Sequence, residues 1–229
     1  MSGQNRFGKL ILAKKGKNTF AMSRRRRAII VTLCLLLFCL LVWLDHSDIT
    51  LRSQPEKQSA EALKSKDFKK YHAETFTVVN VVDGDTFDID ISDGDNKRTR
   101  IRLWGVDTPE TKNPKVGVMY FGPEAAEFVK ELTLGKPVTV YLDAERKSRG
   151  YYGRVLAYVK LADGRFLNEV LLSEGYAYAD VRFKHSFYNK YQQLEAVARS
   201  RKRGLWEKVT REQLPQWLQK RKPEFLLEK

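Results

Sequence analysis

The sequence predicts an α+β, mainly β fold: a five-stranded Greek-key barrel of the OB type, with about three flanking helices, preceded by one transmembrane helix. Three observations carry that prediction. Five short runs have strand character and are parted by Gly-containing turns. A helical stretch falls between the third run and the fourth. A seventeen-residue apolar run stands apart near the N-terminus.

The strands come first. Residues 74–82 (ETFTVVNVV) are rich in β-branched side chains, and residues 86–91 (TFDIDI) alternate apolar and polar as a half-buried strand does. Residues 100–106 (RIRLWGV) alternate again. Asp83-Gly84-Asp85 and Ser92-Asp93-Gly94-Asp95 are the intervening turns, so these three strands form a meander. Pro123 suits a first helical turn, and Ala125, Phe128, Val129 and Leu132 follow at helical spacing until Gly135 stops them. Residues 137–142 (PVTVYL) and 154–161 (RVLAYVKL) are the fourth and fifth strands. Residues 166–173 form a short helix closed by Gly175. A longer helix spans 186–202, with Phe187, Tyr191, Leu194 and Ala198 on the face turned to the core. Residues 210–222 are expected to form one last amphipathic helix on Leu214, Trp217 and Leu218, with Pro215 in its first turn.

Charge and hydropathy divide the chain further. The formal net charge is +14, which favours an acidic partner, but its distribution matters. Residues 1–27 hold nine basic side chains and no acidic one, so 33 of the 42 basic residues face 28 acidic ones elsewhere, leaving only +5. The basic arm therefore answers to a membrane. Residues 28–44 (AIIVTLCLLLFCLLVWL) carry no charge and extend about 25 Å as a helix, enough for a thin bilayer. With Arg24–Arg27 held on the cytoplasmic side, the C-terminal domain lies outside, periplasmic or extracellular in a bacterium. A cleaved signal leading to secretion is the alternative, although no small-x-small pattern follows the run. In a eukaryote, an Arg-rich arm would also suit the mitochondrial inner membrane. Residues 45–73, polar and without an apolar period, are expected to be a tether. The domain is then 74–207, with a helical tail at 208–229. The two cysteines, Cys34 and Cys39, sit in the apolar run, so the rest of the chain has neither a disulfide nor a thiolate metal site.

Acidic and basic groups cluster where strands begin and end. Asp83 and Asp85 flank Gly84. Asp107 closes the third strand ahead of Thr108-Pro109-Glu110. Arg102 lies five residues before Asp107, an odd spacing that puts the two on opposite faces unless a bulge near Gly105 resets the register. Arg154 follows the turn Tyr151-Tyr152-Gly153. Phosphodiester hydrolysis asks for this chemistry: oxygen ligands for a hard cation, guanidiniums for the phosphoryl oxygens, and a carboxylate to orient or deprotonate water. Asp85, Asp107 and the Thr108 carbonyl could supply the first, Arg102 and Arg154 the second, and Glu110 the third. Asp93-Gly94-Asp95 is read as an ordinary hairpin turn.

Six motifs recur in order: VVDGDTF at 81–87, RLWGVDTPET at 102–111, YFGPEA at 120–125, YYGRVLAY at 151–158, LNEVLLSEG at 167–175 and GLW at 204–206. Together they make residues 74–207 resemble the thermonuclease (staphylococcal nuclease) family, whose fold is also an OB barrel. The resemblance implies one Ca2+ ion on Asp85, Asp107 and the Thr108 carbonyl, with Asp83 supporting that site. It implies Arg102, Glu110 and Arg154 as catalytic residues and Tyr152 as a substrate-binding aromatic. The implied reaction hydrolyses DNA or RNA, leaving a 3′-phosphate and a 5′-hydroxyl. No obligate protein partner is implied, and a monomer is expected, held to a lipid bilayer through residues 28–44. Departures concern the substrate: the loop between the second and third strands is a few residues longer, two family tyrosines align with Val181 and Phe183, and a family lysine aligns with Val116. Two rivals stand beside the enzyme. One is a non-catalytic nucleic-acid-binding OB module at the membrane, which the full set of charged positions disfavours. The other is an envelope scaffold, which would not depend on Arg102 or Glu110.

Overall fold

The structure, a computed structural model, describes residues 23–112 and 117–221. Two compact units divide after Glu56. The basic arm up to residue 22 and Val116 lie outside the described residues.

In the N-terminal unit, helix α1 (Arg24–Tyr71) begins at the arginine run. Its stretch Arg24–Trp43 is long and apolar enough to cross a membrane, and leucines such as Leu36 and Leu37 are exposed along it. Thr32 turns its hydroxyl back to the carbonyls of Ala28 and Ile29, so the run's one hydroxyl is satisfied within the helix.

The second unit corrects one expectation. The tether expected over 45–73 is helical as far as Tyr71. Phe68 and Tyr71 pack on the barrel core, and Asp67 is buried beside them. Asp67 accepts hydrogen bonds from Ser148 Oγ at 2.6 Å and from Arg149 Nη2 at 2.6 Å, and Arg149 bridges on to Asp93 at 2.6 Å. The docking stripe has an aspartate in it, so it does not read as an apolar period. The charge is tolerated because it is paired.

Strands β1 (Glu74–Asp83), β2 (Thr86–Ile89), β3 (Thr99–Leu103), β5 (Pro137–Tyr141) and β6 (Val155–Leu161) close a barrel in the order β1-β2-β3-β6-β5. All neighbours are antiparallel except β3 and β6. The first half of β1 pairs with β5 and the second with β2, with register shifts at Val78/Asn80 and Val81/Asp83. Such irregularities bend a strand sharply enough to serve two edges of a small barrel. Val78, Phe87, Ile101, Val140 and Val159 fill the interior.

Helix α2 (Gly122–Thr133) connects the meander to β5, α3 (Leu167–Ser173) packs on β6, which is buried along most of its length, and α4 (Tyr188–Ser200) packs on α3. The fully buried Asn168 of α3 accepts from the Val159 N–H at 3.0 Å and donates to the Trp104 carbonyl at 2.9 Å. That side chain ties helix, strand β6 and the exit from β3 together.

The strand expected at 100–106 is split. The chain leaves β3 at Leu103, turns at Trp104-Gly105 with φ of +76° at Gly105, and enters β4 (Val106–Asp107), which pairs with β7 (Tyr178–Ala179). Glycine is required twice over, since a Cβ at 105 would lie 2.4 Å from the His185 ring. The tail is also split. A 3-10 turn (Arg211–Gln213), closed by a Thr210–Gln213 capping box, precedes α5 (Gln216–Arg221). Pro215 forces Leu214 into extended backbone (ψ of 146°), and its carbonyl accepts the Leu218 and Gln219 N–H groups of α5.

His185 gives the fold a pH signature. It is buried between Trp104, Tyr158 and Tyr191, and burial pushes it down to about 4 from the ordinary 6.5. The unfolded chain then binds more protons between pH 6.5 and 4, so His185 makes stability fall as pH drops through that window. In His185→Gln that part of the loss should be absent. Calorimetric Tm against pH for both proteins, read as the difference in slope, checks it; equal slopes would contradict it.

Candidate active site

The reset at Gly105 brings Arg102 and Asp107 to the same side. Arg102 Nη2 donates to Asp107 Oδ1 at 2.7 Å, and its Nη1 reaches Asp85 Oδ2 at 2.5 Å and the Val106 carbonyl at 3.0 Å. Asp85 enters from the β1–β2 turn, opposite the end of β3, where Thr86 registers with Arg102. Its second oxygen accepts from Thr86 Oγ1 at 2.9 Å, and Oδ2 also accepts the Thr108 N–H at 3.0 Å. The expected turn, strand and loop residues thus meet at one end of the barrel.

Arg154 stands at the start of β6 on the same mouth. Nη1 touches Thr86 Oγ1 at 3.4 Å, while Nε is buried without a hydrogen-bond partner. No carboxylate pairs with it among the described residues. Burial and the charge of Arg102 both disfavour its charged form. It is a half-buried guanidinium with unused capacity for an anion. Tyr152, 78% exposed, lies 5.6 Å from the Arg154 guanidinium, and Tyr151 beside it is 92% exposed. Phe183 is exposed at the rim and stacks on Trp104, whereas the Val181 carbonyl accepts from Arg221.

Glu110 lies in the loop after Asp107. Its carboxylate accepts the N–H groups of Thr111 (3.1 Å) and Lys112 (3.0 Å). Asp83 accepts from Thr111 Oγ1 at 2.9 Å. Burial, the neighbouring Asp85 charge and hydrogen bonding with Glu110 push the Asp83 carboxyl up to about 7. A group of carboxylates this crowded favours a cation. Among the described residues no three His, Cys, Asp or Glu side chains make a cage by themselves. The expected donor set needs only two carboxylates and a carbonyl. Thr108 is buried beside Asp85, and its Oγ1 has no hydrogen-bond partner. The donors are all oxygens, which suits a hard cation such as Ca2+. These residues fit that ion.

Gly84 keeps the two loops in contact. A Cβ there would lie 2.8 Å from Thr108 Oγ1 and 2.9 Å from Thr108 Cβ, and a β-branched side chain cannot swing aside cheaply. Gly84→Ala is therefore expected to push Thr108 from Asp85 and to cost about 1–3 kcal/mol of stability. Chemical denaturation of both proteins checks this; equal stability would contradict it.

Three contributors were not legible in the sequence. Arg182 pairs with Asp107 Oδ1 at 3.0 Å and with Asp180 at 2.8 Å, and Trp217 Nε1 donates to Asp107 Oδ2 at 2.8 Å. All line the same cleft as Asp83, Asp85, Arg102, Thr108, Glu110, Tyr152 and Arg154. Its volume, near 2330 Å³, exceeds the roughly 300–1,000 Å³ of small-molecule pockets and suits a polymer.

Fold and cleft together define a class: a closed five-stranded barrel whose mouth joins carboxylates to guanidiniums. The model of the "Staphylococcal nuclease homologue" family matches residues 100–208. A thermonuclease of Staphylococcus hyicus is 37% identical over 144 residues, covering 62% of this chain and 82% of the relative. A second, from Staphylococcus intermedius, is 38% identical over 136 residues, or 59% and 77% of the two chains. Endonuclease YncB of Bacillus subtilis is 34% identical over 154 residues, or 66% and 70%. The chain belongs to the thermonuclease, or staphylococcal nuclease homologue, family.

Proposed function

We propose that this chain is a membrane-anchored, calcium-dependent nuclease that hydrolyses DNA or RNA. Nuclease activity rests on family membership and on the thermonuclease and endonuclease names of the relatives. The single observation that carries the chemistry is Arg154: a half-buried guanidinium without a carboxylate partner among the described residues, facing the cleft that holds Arg102, Asp85, Asp107 and Glu110.

Asp85, Asp107 and the Thr108 carbonyl would hold one Ca2+ ion, with Asp83 in support. When bound, the ion polarises a phosphoryl oxygen as a Lewis acid. Arg102 and Arg154 hold the non-bridging oxygens and stabilise the charge that grows on them in the transition state. Glu110 orients the attacking water or takes its proton. A water oxygen–phosphorus bond forms in line as the bond from phosphorus to the 5′-oxygen breaks. The 5′-oxygen takes up a proton and leaves as a hydroxyl, and the 3′-phosphate remains. Tyr152 supplies a face on which a base can stack. The apolar stretch before the domain serves as anchor, with the arginine run on the cytoplasmic side and the nuclease domain outside.

The test is DNA and RNA degradation by the full-length chain in detergent, with Ca2+ and with chelator. Hydrolysis with calcium that stops in chelator is expected, and products should carry 3′-phosphates. Binding of nucleic acid without hydrolysis in either condition would favour the non-catalytic OB module.

A further inference from the structure

The C-terminal tail lies beyond residue 208, where the family model's match ends, and nothing in the proposed chemistry uses it. It is nevertheless built into the cleft. Leu214 and Leu218 are buried against Tyr178, Ala198, Leu205 and Trp206, which anchors α5 beneath β7. Tyr178 of β7 pairs in register with Asp107 of β4, so the tail's footing and the aspartate share one small sheet. From that footing Trp217 reaches the aspartate itself.

Asp107 is held from several sides. Arg102 and Arg182 approach Oδ1 at 2.7 and 3.0 Å, and the indole N–H of Trp217 donates to Oδ2 at 2.8 Å. The guanidinium of Arg182 lies over the Trp217 ring at 4.5 Å, so the indole fixes the second arginine as well as the carboxylate. An indole has one donor and no acceptor, and it can serve Oδ2 only while the carboxylate keeps one orientation. Partners of this kind set how well a carboxylate presents its remaining lone pairs to a cation.

We infer that Trp217 is a positioning residue for Asp107, so that the tail is a working part of the cation site. The inference rests on the reading of Asp107 as a calcium ligand. It explains why a polar tail with few apolar side chains is held in place: its two buried leucines serve to deliver one indole N–H.

Calcium binding alone tests it, by equilibrium dialysis of the full-length chain in detergent, with Tm measured alongside. Trp217→Phe keeps an aromatic ring and loses the donor; its Kd for Ca2+ should rise about tenfold or more. Gln216→Ala, on the exposed side of α5, should bind as wild type does. Leu218→Ala keeps the indole and weakens its footing, and so measures how far lost stability alone affects binding. Compared at equal distances below their Tm values, Trp217→Phe should lose several-fold more affinity than Leu218→Ala. A Trp217→Phe Kd equal to wild type, or losses that simply follow Tm in both variants, would overturn the inference. Absence of binding by the wild-type chain would instead sink the cation reading beneath it.

Discussion

Arg154→Ala is expected to lower kcat/KM about 10³-fold, since one preorganised cationic donor to a developing phosphoryl charge contributes on that scale. Lysine should recover little of this, because an ammonium lacks the planar fork that grips two oxygens. The expectation has a stability counterpart. Arg154 pays for its burial without a carboxylate partner among the described residues, and its Nε has no hydrogen bond. Removing it breaks no ion pair, so the Tm of Arg154→Ala should hold or rise slightly. A residue retained at a cost to the fold is a residue retained for its ligand. Steady-state kinetics on a defined oligonucleotide, with Tm alongside, separates the cases. Activity above a tenth of wild type would mean that Arg154 does not touch the transition state. Lost activity together with a large drop in Tm would mean that it is structural.

Glu110→Gln is expected to slow hydrolysis roughly 10²-fold or more while leaving calcium binding near normal. Glutamine has the same length and keeps an oxygen to accept the Thr111 and Lys112 N–H groups, so the loop after Pro109 should stay closed. What it loses is the capacity to take a proton from water. Single-turnover rates at saturating calcium, together with a calcium Kd, make the test. Full activity in Glu110→Gln would remove the carboxylate from the chemistry. A parallel loss of calcium affinity would instead place it among the groups that hold the ion.

The barrel was legible because each strand carries its own local signature. β-branched runs, strict alternation and Gly-centred turns are short-range, and the OB order with a helix between the third and fourth barrel strands follows from them. The charged positions were legible for a similar reason, since each stands at a strand end or turn. Their meeting could not be read from spacing. Arg102 and Asp107 share a face only because Gly105, at positive φ, turns the chain between them. The pairing of β4 with β7, which carries Asp107, is a long-range contact between two-residue strands that no periodicity announces. Trp217 reaches Asp107 across 110 residues of sequence, and as one apolar member of a short amphipathic stretch it read as packing. The helix leading to Tyr71 was hidden because its buried face includes Asp67, whose charge is cancelled by Arg149 more than 80 residues away. Wherever burial is purchased by pairing and not by hydrophobicity, composition alone points the wrong way.

In the proposed function, one ion shared by the two aspartates is the physical core of the site, and binding stoichiometry reaches it most directly. Calcium titrated into the full-length chain should bind at one site in the wild type and in Glu110→Gln. In Asp85→Asn and Asp107→Asn its affinity should fall by at least about tenfold. Unchanged binding in both asparagine variants would show that the ion, if any, sits elsewhere.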